Sequence, residues 1–104
     1  MIIVIIEINV PAGETRESIV EKYAETANTF RSVPGLIRKY CGVSTDNDTV
    51  ITVNLWESRE AADAYHTPDW YKKLKDRWGE PKSWMSYDTP IVVDNVTEEI
   101  ITKS

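Results

Sequence analysis

Cysteine and histidine are each present once in this chain, and that scarcity already removes several classes of function. A lone Cys41 cannot form an intrachain disulfide, and a small domain without one is expected in a reducing cytoplasm. One His and one Cys give no paired-ligand spacing, so no metal is expected. Asp46, Asn47 and Asp48 lie in a turn that lacks the glycine and distal glutamate of a calcium loop. Glycine is also sparse. Four scattered residues make no phosphate-cradling loop, no hydrolase serine motif occurs, and neither a flavin nor a nicotinamide site is encoded. The expected cofactor set is therefore none. Cations nowhere form a stripe: Lys72, Lys73, Lys75 and Arg77 are interrupted by Asp76, and the net charge is −5. Nucleic acid is set aside as a partner. Long apolar runs are missing too. The longest, from Met1, is cut by Glu7, has no basic region before it, and is far too short to cross a membrane.

What is present reads as alternating strands and helices. Ile2 to Val10 is β-branched and apolar, a strand closed by Pro11-Ala12-Gly13. From Thr15, an N-cap residue, the period becomes helical: Ile19, Tyr23, Ala27 and Phe30 recur with Val20 and Ala24 alongside, opposite Glu17, Glu21, Lys22 and Glu25. Val33-Pro34-Gly35 ends that helix near Arg31. Leu36–Val43 and Thr49–Trp56 form a strand pair around the turn residues Thr45-Asp46-Asn47-Asp48. Ser58 caps a short helix to about Tyr65. Thr67 and Pro68 restart one, lined by Tyr71, Leu74 and Trp78 and ended by Gly79 and Pro81. Ser83 to Val93 is expected as one last strand with Pro90 inside it. Residues 95–104 are either a short extra strand or a tail.

This order, βαββαβ, predicts an α+β ferredoxin-like fold with a four-stranded antiparallel sheet in one domain spanning 1–104. The first and third strands should be central, because they are the most apolar. Arg38 and Lys39 mark the second as an edge, and Pro90 marks the fourth. The central strands do not alternate apolar with polar. Ile2, Val4, Ile6 and Ile8 face one way, Ile3 and Ile5 the other; Ile51, Val53 and Leu55 likewise oppose Val50 and Trp56. Helices suffice for one face only. The expected cover for the second is an identical sheet, giving a homodimeric α+β barrel; ten mostly polar terminal residues would cover it poorly.

The run Phe30-Arg31-Ser32-Val33-Pro34-Gly35-Leu36-Ile37-Arg38-Lys39-Tyr40 resembles the helix-to-strand junction of YdhR-type monooxygenases. Leu55-Trp56-Glu57-Ser58-Arg59-Glu60-Ala61-Ala62 resembles their strand-to-helix junction, shared across the antibiotic-biosynthesis monooxygenase superfamily. The resemblance implies a dimeric α+β barrel and, as one activity of a superfamily that also holds isomerases, cyclases and heme-degrading enzymes, cofactor-independent oxygenation of an aromatic or quinol-type molecule. The heme-degrading relatives place an axial His at about the position of Lys75; Asp69 to Trp78 contains no His, which disfavours heme. Oxygenation without a cofactor requires a pocket that binds and desolvates an aromatic ring and favours its anion.

For that pocket the aromatic candidates are Trp56, Tyr65, Trp70, Trp84 and Tyr87, with Arg38 as a polar partner. His66, whose ordinary pKa lies nearest neutrality, is the candidate base. Asn54, an amide interrupting an apolar central strand, is the second candidate catalytic group. A closed pocket containing two or more of Asn54, Tyr65, His66 and Tyr87 is expected of an enzyme. The alternatives are a non-catalytic small-molecule binding or interaction module and an isomerase or cyclase using His66.

Overall fold

The computed structural model describes residues 1–102. Its elements are β1 (Ile2–Asn9), α1 (Arg16–Phe30), β2 (Leu36–Val43), β3 (Thr49–Trp56), α2 (Arg59–Tyr65), α3 (Pro68–Trp78), β4 (Ser83–Asp88), β5 (Ile91–Asp94) and β6 (Glu99–Thr102). Local chemistry sets most boundaries where the sequence places them. The Thr15 hydroxyl accepts from Ser18 N while the Ser18 hydroxyl accepts from Thr15 N, closing a capping box on α1. Ser58 and Thr67 accept from Ala61 N and Trp70 N at the starts of α2 and α3.

The first four strands to pair form one antiparallel sheet in the order β2-β3-β1-β4. The apolar strands are central and the others lie at the edges, as expected. Ile2, Val4, Ile6 and Ile8 pair with Trp56, Asn54, Thr52 and Val50, and all eight are buried beneath the helices. Ile19 of α1, Ala62 of α2 and Trp78 of α3 close this core. Each large apolar side chain enclosed there contributes about 1.5–3 kcal/mol.

Two features depart from the sequence expectation. The stripe of α1 is narrower than its periodicity. Only Ile19 is buried, Tyr23 and Phe30 are partly buried, and Val20, Ala24 and Ala27 are exposed. The last strand is not continuous to Val93. It stops at Asp88, where Thr89 N donates to Met1 O and Pro90 offers no N–H to extend the ladder. The chain beyond it pairs with itself as a separate β5–β6 hairpin, which resolves residues 95–102 as a turn and strand; 103–104 lie outside the described residues. Asp94 of this hairpin reaches Arg38 at the far edge of the sheet, 2.8 Å away.

Among the described residues nothing closes the face opposite the helices. Tyr40, Met85 and Tyr87 are about half exposed on it, and the hairpin itself exposes Ile91, Val93, Val96 and Ile100. Among the described residues no helix is long and apolar enough to cross a membrane.

Candidate functional site

The break between α2 and α3 creates an aromatic cluster. His66 ends α2 with a non-helical backbone, and Thr67 caps α3 immediately after it, so Tyr65, His66 and Trp70 are held on either side of one turn. Beneath them Trp56 ends β3 and Trp84 lies in β4 opposite Ile6. The His66 ring lies 4.7 Å from Trp70, 5.1 Å from Trp84, 5.4 Å from Tyr65 and 5.5 Å from Trp56. The fold therefore gathers five of the eight residues nominated from sequence. Edge-on packing of this kind stabilises each pair by about 0.5–1.5 kcal/mol. Burial among these rings, reinforced by the nearby positive charge of Lys39, pushes the His66 pKa down from 6.5 to about 4. The imidazole is thus neutral at pH 7. Trp56 Nε1 is the one buried side-chain nitrogen or oxygen without a partner among the described residues.

Asn54 is buried on the same face. Its Oδ1 accepts from Lys39 Nζ at 3.0 Å, and its Nδ2 donates to Val4 O at 3.3 Å and Thr52 Oγ1 at 3.4 Å. A buried amide needs such partners, and here one of them is an ammonium.

Tyr87 and Arg38 stand elsewhere, contrary to the sequence expectation. Tyr87 pairs with Ile3 on the open face. Arg38 is turned outward to Asp94 by a bulge between Leu36 and Arg38. Unbroken alternation from Leu36 would bring Arg38 under the helices and send Lys39 out. The bulge inverts this, so Lys39 pairs across from Asn54 and points inward. Lys39 is the residue that sequence reasoning missed.

A cavity of about 280 Å³ lies between the sheet and helices α1 and α3, just below the roughly 300–1,000 Å³ usual for small-ligand pockets. Tyr23, Phe30, Tyr65, Trp70 and Trp78 wall it, with Lys39 and Thr52 as polar groups on the sheet side. Exposed Lys73 and Arg77 mark its mouth. Of Asn54, Tyr65, His66 and Tyr87, only Tyr65 lines it. His66 packs behind Tyr65 and Trp70, and Asn54 reaches the cavity only through its hydrogen bonds to Lys39 and Thr52. The expectation of two or more in the pocket is not met. A larger hollow of about 540 Å³ runs between α1 and β2, lined by the exposed Val20, Ala24 and Ala27. It shares Tyr23, Phe30 and Lys39 with the first but none of the α2–α3 aromatic cluster. The smaller cavity is the better candidate because rings and polar groups converge there. Among the described residues no three His, Cys, Asp or Glu side chains converge as a metal site.

Residues 1–77 match the sequence model of the family described as antibiotic biosynthesis monooxygenase. No curated protein matches the chain. Among solved structures it is similar to a monooxygenase of Streptomyces coelicolor, from the gene ActVA-Orf6, in complex with nanaomycin D. The two share 22% identity at a TM-score of 0.63, over 88% of this chain and 90% of that one. It is also similar to a variant of SnoaB, a cofactor-independent oxygenase from Streptomyces nogalater, at 14% identity and a TM-score of 0.63, over 85% and 91% of the two chains. Rv0793 of Mycobacterium tuberculosis matches at 14% identity and a TM-score of 0.61, over 86% and 95%. At these identities the structural likeness establishes the fold.

Proposed function

The chain belongs to the antibiotic biosynthesis monooxygenase family, and from that premise we propose that it is a cofactor-independent monooxygenase of an aromatic or quinol-type small molecule. The observation that carries this reading is the cavity walled by five aromatic side chains with one ammonium and one hydroxyl at its sheet side. Such a wall stacks a flat ring and excludes water around it. In the reaction a ring hydroxyl loses its proton, the resulting anion passes an electron to O₂, and recombination inserts one oxygen. A phenol with a free para position and one O₂ give a quinone and one water, so no outside reductant is consumed.

In this reading Tyr65 and Trp70 touch the substrate. His66 and Asn54 are positioning residues: His66 backs the two rings, and Asn54 holds Lys39. One structural neighbour's ligand supports a small-molecule substrate by analogy, since the Streptomyces coelicolor monooxygenase is in complex with nanaomycin D. The segments Phe30–Tyr40 and Leu55–Ala62 support the YdhR-type branch of the family. We further propose a single domain over 1–104, located in the cytoplasm and paired sheet to sheet with a second copy through the open apolar face.

Oxygen uptake with a naphthol-type substrate tests the activity. One quinone per O₂ consumed is expected, with Trp70→Ala lowering kcat/KM by about tenfold or more, the loss of roughly 1.4 kcal/mol of transition-state binding. Saturable binding without oxygen uptake would instead establish a binding module. That second reading is favoured by the placement of His66 behind the cavity wall rather than in it.

A further inference from the structure

The cavity differs in charge from the molecule around it. The chain carries a net charge of −5, yet the cavity is lined by three cations, Lys39, Lys73 and Arg77, and by no carboxylate. The two at the mouth have acidic neighbours: Lys73 lies 3.5 Å from Asp69 and Arg77 lies 4.0 Å from Glu25. Such exposed pairs are loose, so both cations still contribute to the field that an approaching ligand meets.

Lys39 is of another kind. Its ammonium is withdrawn under the helices, donates one hydrogen bond to Asn54 Oδ1 at 3.0 Å, and lies 4.5 Å from the centre of the Phe30 ring. Among the described residues no carboxylate lies within ion-pair distance of it. An ammonium has three donors, and one neutral amide with one ring face does not replace its hydration. Burial accordingly pushes its pKa down. A cation taken from water without a counter-charge costs several kcal/mol, and an apolar side chain of similar length would serve stability better. A role in folding therefore does not account for this residue at this register position.

We propose that the cavity selects aromatic ligands bearing a negatively charged oxygen, with Lys39 as the internal counter-charge and Lys73 and Arg77 as the cations at its entrance. The inference rests on the aromatic pocket proposed above and narrows its substrate class. Two sources share this chemistry, a ring carboxylate and an ionised ring hydroxyl. Asn54 is the positioning residue for Lys39, fixing its ammonium opposite the rings.

Calorimetric titration of the purified chain with 2-naphthoate, 2-naphthamide and 2-naphthol at one ionic strength tests this. The carboxylate is expected to bind at least about tenfold more tightly than the amide of nearly the same shape, a gap of roughly 1.4 kcal/mol. Lys39→Met should abolish that gap while sparing the amide. Asn54→Asp, which sets a carboxylate against the ammonium, should abolish it too. If 2-naphthol binds with the absorption of its anion, the ionised hydroxyl is a source; if it binds neutral while the carboxylate is preferred, the carboxylate is. Equal binding of carboxylate and amide by the unaltered chain, with 2-naphthol bound neutral, overturns the proposal and leaves the aromatic pocket standing. Binding of none of the three overturns both. The unaltered chain decides the matter even where a variant fails to fold.

Discussion

His66 shows what a fold does to a residue whose chemistry looks settled from its type alone. As the sole histidine it was the natural candidate base, but four rings and the charge of Lys39 bring its pKa to about 4. The folded chain thus binds that proton near pH 4 and the unfolded chain near 6.5. Between those values unfolding takes up a proton, and stability rises with pH. The contribution is complete above about pH 6.5 and is lost as pH falls toward 4. Allowing for the partial exposure of the ring, it amounts to about 1–2 kcal/mol. Thermal unfolding followed from pH 7.5 to 4.5 should show a steeper loss of Tm in the unaltered chain than in His66→Gln; parallel curves would remove the case for a buried neutral imidazole. Lys39 is the converse case. Nothing in its type or spacing distinguished it from an edge-strand lysine, because the bulge that turns it inward belongs to the pairing of β2 with β3. Trp84 and Tyr87 were both candidates, and their spacing alone shows that only one of them fits; the pairing of β4 with β1 sends Tyr87 to the open face. Residues three apart in a strand point to opposite faces, so Trp84 and Tyr87 could not both reach the cluster.

At the scale of elements, the α1–β2 junction is the tightest point. Gly35 has φ +80°, its carbonyl accepts from Glu57 N at 2.8 Å, and a Cβ there would collide with the Ala61 side chain of α2. One residue thus sets the approach of three elements. Gly35→Ala should cost about 2–4 kcal/mol, the sum of a left-handed backbone strain and an overpacked contact. Denaturant unfolding reads this as a lower midpoint, and an unchanged midpoint would show that the junction can move apart. The helix ends were legible because capping is local: Thr15, Ser58 and Thr67 each accept from a backbone N–H three residues on. The end of β4 was not, because Pro90 is compatible either with an edge strand or with a stop. Only the pairing of β5 with β6 decides between them.

For the whole molecule, the open sheet face and the exposed apolar residues of the hairpin set the expectation. Tyr40 and Met85 stand about half exposed on that face, one on each edge strand, and the described residues of the chain do not cover them. Sedimentation should give twice the chain mass at micromolar concentration, and Tyr40→Glu with Met85→Glu should shift it to one; a monomer in the unaltered chain would overturn the paired-sheet proposal. Sequence by itself determined the strand order, the two-faced central strands and the helix caps, since these follow from periodicity and from contacts within a few residues. Tertiary structure alone decided that Lys39 rather than Arg38 lies beneath the helices, that His66 is neutral, and that Tyr65 and Trp70 rather than His66 form the cavity wall. These outcomes depend on register, burial and the field of distant charges, which arise only when remote segments are brought together.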